Sequence, residues 1–212
     1  MAEPREIEVE TPHGPARVHL HRADGATAAL VLGHGAGGGV KAPDLVAVTE
    51  LARSSGIGVA LVEQPYRVAG RRSSPPAKQL DAAWVAVIEH LRAADLEGLA
   101  LIAGGRSAGA RVACRTAATT GARAVLCLAF PLQPPRRAGG KQSPSRLDEL
   151  DGVAVPTLLV QGEGDQFGMP PAGPQRTVAR VAGSHSLHSD REAVVDAVAA
   201  WLADVDLARS YS

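Results

Sequence analysis

Apolar and polar residues alternate over residues 7–10 and again over 16–20. That period of two predicts two half-buried strands, paired antiparallel around His13-Gly14-Pro15. From residue 27 the pattern changes. Short, nearly unbroken apolar runs at 27–32, 57–62, 99–103, 124–130, 157–160 and 177–181 read as strands buried on both faces. Helical spacing separates them. A helix is expected over 44–55, with Asp44 as its cap. Another covers 80–91, with Trp84, Val87, Ile88 and Leu91 on one face. Further helices are expected over 107–119 and 194–202. Strand and helix alternating in this way imply an α/β chain with a mostly parallel central sheet and helices on both faces. Functional groups in such sheets gather beyond the carboxyl ends of the strands.

The 212 residues contain no long linker and are read as one domain, 1–212. Aromatic residues make up only 3% of the chain, so Ala, Val and Leu must fill its core. The 22 Lys and Arg balance the 22 Asp and Glu, which gives no electrostatic footprint for nucleic acid or for a membrane surface. No apolar leader or membrane-length run is seen. Cys114 and Cys127 lie in apolar runs and read as buried thiols. A cytoplasmic protein is the expectation. The segment 131–145, rich in Pro, Gly, Arg and Lys, reads as an exposed loop.

Candidate chemistry begins after the run 99–103. There Gly105, Ser107 and Gly109 form G-x-S-x-G between a strand and a helix. A serine on so tight a turn presents its hydroxyl above the sheet and leaves no room for side chains two positions away. The helix that follows aims its N-terminal dipole at developing negative charge. The run 27–32 leads into Gly33-His34-Gly35-Ala36-Gly37-Gly38-Gly39. A His-Gly loop in this position supplies one oxyanion amide, assigned here to Ala36, with Ala108 as the second donor. His34 is expected to brace the loop. Gly33, Gly35 and Gly38 also satisfy G-x-G-x-x-G, with Glu63 at the end of the next strand. A dinucleotide site, however, needs the helix to begin inside the fingerprint, and Pro43 and Asp44 mark a later start. A P-loop is excluded, because Lys41 has no Gly before it and no Ser or Thr after it.

Two carboxylates follow the run 157–160, Glu163 and Asp165. Asp165 is taken as the acid and Glu163 as the reserve. His185 comes after 177–181 among small residues and is taken as the base, with His188 as a surface residue. Ser107, Asp165 and His185 then follow in the order nucleophile, acid, base.

Leu32-Gly33-His34-Gly35-Ala36-Gly37-Gly38, Glu63-Gln64-Pro65-Tyr66, Gly104-Gly105-Arg106-Ser107 and Gly183-Ser184-His185-Ser186 together resemble the small, lidless branch of the α/β-hydrolase superfamily. That branch holds predicted bacterial hydrolases and testis-expressed and NSL-complex-subunit homologues of animals, and is distantly similar to dienelactone hydrolases. The likeness runs from about residue 26 to 203. The chain departs from the branch in having Ala108 where methionine often follows the serine. It departs from dienelactone hydrolases in having serine as nucleophile. The resemblance implies an α/β-hydrolase fold without a lid domain, and hydrolase chemistry.

The residues themselves point to a serine hydrolase acting on a small ester or thioester through an acyl-enzyme. The competing class is a catalytically silent binding or complex-subunit protein on the same fold. No cofactor or metal is implied. The expected partner is a small-molecule substrate, with no nucleic acid and no membrane, and the oligomeric state is left open. With only 131–155 available between strands, an open site for short acyl groups is expected. Arg67 and Arg106 are candidate contacts for an anionic substrate, with Arg71, Arg72, Arg136 and Arg137 in loops on the same edge. In the alternative, Arg106 pairs internally with Glu63.

Overall fold

The computed structural model describes residues 3–136 and 139–207. Eight strands form one sheet in the order β1-β2-β4-β3-β5-β6-β7-β8. β1 (Arg5–Val9) and β2 (Ala16–His21) make the expected antiparallel pair, in register from Arg5 opposite Leu20 to Val9 opposite Ala16. β2 is also antiparallel to β4 (Gly58–Glu63). Every later neighbour pair is parallel: β4 with β3 (Ala28–Gly33), then β5 (Ala100–Arg106), β6 (Ala124–Leu128), β7 (Thr157–Gly162) and β8 (Arg176–Val181).

Of the boundaries that differ from the sequence expectation, three have a local cause. β5 runs past Ala103 because Gly104 and Gly105, though poor strand formers, keep their ladder positions opposite Leu126 and Cys127. β6 stops at Leu128, since Ala129 turns to a left-handed φ of 51°. α1 (Pro43–Ser54) begins with Pro43, whose fixed φ suits a first helical position. Its cap is Ala42 and not Asp44. α3 (Ala77–Arg92), α4 (Ala108–Thr120) and α6 (Arg191–Asp204) match the helical periodicities. Asp190 caps α6 through the Ala193 amide at 3.0 Å. α2 (Pro65–Val68) and α5 (Leu147–Asp151) are too short to show a period. No helix among the described residues is long and apolar enough to cross a membrane.

The two faces of the sheet are filled differently. Side chains alternate along each strand. Toward α3 and α4 the strands present small residues, among them Ala29, Val31, Ala60, Ala103 and Val125, and α3 supplies the bulk with Trp84, Ile88 and Leu91. Toward α1 and α6 the strands carry the bulk, with Leu30, Leu32, Leu61, Leu126 and Leu158, and the helices offer Val48, Ala52, Val194 and Val198. Cys114 and Cys127 are free and buried, their sulfurs 3.4 Å apart. A hydrogen bond between the two thiols, together with burial, pushes the Cys127 thiol well above its ordinary value.

Strand order reverses between β3 and β5: the chain moves outward from β3 to β4, then returns to the other side of β3. The loops leaving β3 and β5 therefore diverge and open a crevice at their carboxyl ends. Trp84 supports this point from below, fully buried beside Gly33. Trp84→Ala is expected to cost about 3–5 kcal/mol, the range for emptying a buried aromatic site, read from the urea midpoint of unfolding.

Candidate active site

Ser107 stands between β5 and α4 with φ 52° and ψ −107°, a left-handed backbone that costs about 1–3 kcal/mol for a residue with a side chain. Its amide is held by the Leu128 carbonyl at 2.9 Å. The flanking glycines make this turn possible. A Cβ on Gly105 would lie 2.5 Å from the Gly33 carbonyl oxygen, and one on Gly109 would overlap the carbonyl group of Gly33.

His185 reaches over the end of the sheet to Ser107. Its Nε2 lies 2.9 Å from Ser107 Oγ, and its Nδ1 lies 2.8 Å from Asp165 Oδ2. A carboxylate only accepts, so the imidazole proton sits on Nδ1 and Nε2 is left to receive the serine hydroxyl proton. Asp165 is itself fixed. Its Oδ1 accepts from the Phe167 amide at 2.9 Å and its Oδ2 from Gln161 Nε2 at 2.7 Å. The Phe167 ring packs against His185 with centroids 4.5 Å apart. Glu163 and His188 are exposed and take no part in this series.

The His-Gly loop brings Ala36 to the cleft that Ser107 and Ala108 line. Ala108 is the first residue of α4, so its amide has no acceptor within the helix. His34 braces the loop as expected. Its Nδ1 donates to the Gly35 carbonyl at 2.8 Å, and its Nε2 accepts from the Gln64 amide at 3.1 Å. Tyr66 adds a second brace, its hydroxyl donating to the Ala36 carbonyl at 2.9 Å.

The two arginines singled out in the sequence are used differently. Arg106 does not pair with Glu63, which faces His19 and Arg17 instead. Arg106 Nε donates to Asp44 at 2.8 Å and its Nη2 to the His185 carbonyl at 3.0 Å. Asp44, fully buried, thus anchors a guanidinium that ties α1 to the His185 loop. The side chain passes Gly35 so closely that a Cβ there would come 3.0 Å from Arg106 Nη1. Arg67 Nη1 donates to the Arg71 carbonyl beyond α2 at 3.4 Å. Neither Arg67 nor Arg106 lines the Ser107 cleft. Arg71 borders a separate hollow beside Pro65 and Tyr66, Arg72 and Arg136 are exposed, and Arg137 lies outside the described residues.

Asp44, Gln161 and Phe167 were not read as site residues. Gln161 carried a signal: it is a polar residue ending the apolar run Leu158, Leu159, Val160, and it is completely buried. Asp44 gave a misleading one, because an acid before an apolar run also fits a cap.

The profile of the α/β hydrolase domain matches residues 26–192. The chain belongs to the α/β-hydrolase family. Solved structures agree in fold. An α/β serine hydrolase without a lid from Xanthomonas campestris is 21% identical, with a TM-score of 0.69 over 95% of this chain and 96% of that one. Est1E from Butyrivibrio proteoclasticus is 15% identical, with a TM-score of 0.75 over 96% and 99%. A dienelactone hydrolase from Anabaena variabilis is 19% identical, with a TM-score of 0.73 over 96% and 97%. Among curated proteins none matches closely enough to be called a relative.

Burial lowers the His34 pKa below its usual 6.5, against the Gly35 hydrogen bond, which raises it. The neutral ring is the form that fits, since a protonated Nε2 cannot accept the Gln64 amide. The unfolded chain therefore binds this proton first. Stability from His34 is complete above pH 6.5 and is lost as pH falls through the lowered folded value. We expect His34→Gln to lose less stability than the parent between about pH 7 and about pH 5, measured by urea unfolding at each pH.

Proposed function

We propose that this α/β hydrolase is a serine hydrolase that cleaves a small ester or thioester through an acyl-enzyme, with Ser107 as nucleophile, His185 as base and Asp165 as the acid that orients it. One observation carries the reading: the unbroken hydrogen-bond series from Asp165 Oδ2 to His185 Nδ1 at 2.8 Å and from His185 Nε2 to Ser107 Oγ at 2.9 Å. As Ser107 Oγ attacks the carbonyl carbon, its proton passes to His185 Nε2, and Asp165 stabilises the imidazolium. The carbonyl oxygen takes up negative charge and is received by the amides of Ala36 and Ala108. Each such donor contributes about 3 kcal/mol to the transition state. Nε2 then gives the proton to the leaving alkoxide or thiolate. In the second half a water loses its proton to the same nitrogen and attacks the acyl carbon, and the tetrahedral intermediate collapses as Nε2 returns that proton to Ser107 Oγ and the acid is released.

The cleft supports small substrates. Its volume is about 270 Å³, and Ala36, Leu80, Pro131 and Phe167 are among its walls. Among the described residues, the segment between β6 and β7 supplies only α5. The esterase named among the structural neighbours fits this reading. Two free, buried thiols accord with a reducing compartment, and we place the protein in the cytoplasm.

Ser107→Ala is expected to abolish both ester hydrolysis and labelling by a fluorophosphonate, with its far-UV circular dichroism unchanged. His185→Ala should lower turnover by about 10⁴-fold, and His188→Ala by less than about twofold. Labelling that survives in Ser107→Ala overturns the assignment. A chromogenic ester series should show kcat/KM falling from short to long acyl chains, and the opposite trend argues against a cleft of this size.

A further inference from the structure

Among the described residues, the charged side chains that line the Ser107 cleft are all arginines: Arg111, Arg115 and Arg146. The first two lie on α4, four residues apart and so on one face. Arg111 lies about 6 Å along the helix axis from Ser107. Both are already paired. Arg111 holds Glu149 in a two-pronged contact at 2.8 and 2.5 Å. Arg115 holds Asp81 the same way at 2.8 and 2.5 Å, with Glu149 also 3.2 Å from its Nη1. For Arg115, burial opposes the charge, but Asp81 and Glu149 more than offset it and the pKa is raised.

Arg146 is different. It lies at the start of α5 and bonds the Pro131 carbonyl at 2.8 Å. Among the described residues no carboxylate forms an ion pair with it. Burial lowers its pKa. The guanidinium of Arg111 presses in the same direction, Glu149 opposes, and Arg115 adds to the lowering. An arginine keeps its charge under such pressure. On this wall of the cleft Glu149 and Asp81 are taken up by Arg111 and Arg115, and Arg146 is left without a carboxylate among the described residues.

We propose that the cleft selects esters whose molecule also carries a carboxylate, with Arg146 as the group that receives it. A substrate carboxylate would give Arg146 the anionic partner it lacks. The planar guanidinium has further donors in a fork that suits carboxylate geometry. Ser107 and Arg146 line the same cleft of about 270 Å³, which keeps the charged end and the scissile carbonyl within one short molecule. This inference rests on the hydrolase reading above and adds the substrate class.

The test uses two matched ester pairs at low salt: monomethyl adipate against methyl hexanoate, and 4-acetoxybutanoate against butyl acetate. They place the carboxylate on the acyl side and on the alcohol side, with proton release followed by pH-stat. In one pair the anionic ester is expected to have a kcat/KM about tenfold or more above its neutral partner. Arg146→Gln should cut that ratio about tenfold, and Arg146→Lys should retain part of it. Added salt should shrink the ratio in the parent protein, a readout independent of whether Arg146→Gln folds. Equal kcat/KM within both pairs, or a ratio that survives Arg146→Gln, overturns the proposal and leaves the hydrolase reading standing. If the parent turns over none of the four esters and takes no fluorophosphonate label, the hydrolase reading fails. Calorimetry on Ser107→Ala then decides the anion site alone. Binding of either anionic ester, weakened about tenfold by Arg146→Gln, supports it, and absence of binding overturns it.

Discussion

The site depends on a contact between two backbones. Gly33 at the end of β3 meets Gly105 and Gly109 on either side of Ser107, with no side chain between them. Only at that separation does the first turn of α4 fit under the end of β3. The contact forces Ser107 into its left-handed backbone and lifts its hydroxyl clear of the sheet. It also sets the spacing between the loop that carries Ala36 and the helix that begins at Ala108. Substituting any of these glycines would push β3 away from α4 and so alter all of these features together.

Around that contact, hydrogen bonds fix Asp165, His185 and the Ala36 loop in place. Gln161, with no exposed surface, bonds Asp165 and the carbonyls of Phe130 and Gly168. His34 and Tyr66 pin the Ala36 loop to the segment following β4. Arg106 links α1 to the His185 loop through Asp44. These side chains come from separate parts of the chain, and each makes its bonds only when the sheet order is right. Strain at Ser107 is sustained because so much else fixes its neighbours.

What could be read in the sequence was what a single local turn encodes. The glycine spacing around Ser107, the His-Gly loop after β3, and the positions of Asp165 and His185 just beyond strands are each visible within a few residues. The parallel sheet followed from apolar runs separated by helical periods. What escaped were pairings across distance. Asp44 and Arg106 are 62 positions apart, and an acid ahead of an apolar run looks the same whether it caps a helix or pairs with a half-buried arginine. The spacing of Arg111 and Arg115 was plain in the sequence. Their placement at the cleft required knowing that α5 brings Glu149 and Arg146 against α4. α2 and α5, four and five residues long, are below the length at which a 3.6-residue period shows itself.

The unequal filling of the two sheet faces means that they fail in opposite ways. On the side of α3 and α4, where Ala29, Ala60 and Ala103 meet Trp84 and Ile88, the danger is excess. A longer side chain on a strand has nowhere to go and would lever α4, and with it Ser107, off the sheet. On the side of α1 and α6, where Leu30, Leu32 and Leu126 meet small helical residues, the danger is a shortfall. A truncated strand leucine leaves a hole that the neighbouring valines and alanines are too short to fill. Growth in side-chain volume is thus a threat to the Ser107 turn, and shrinkage a threat to the scaffold.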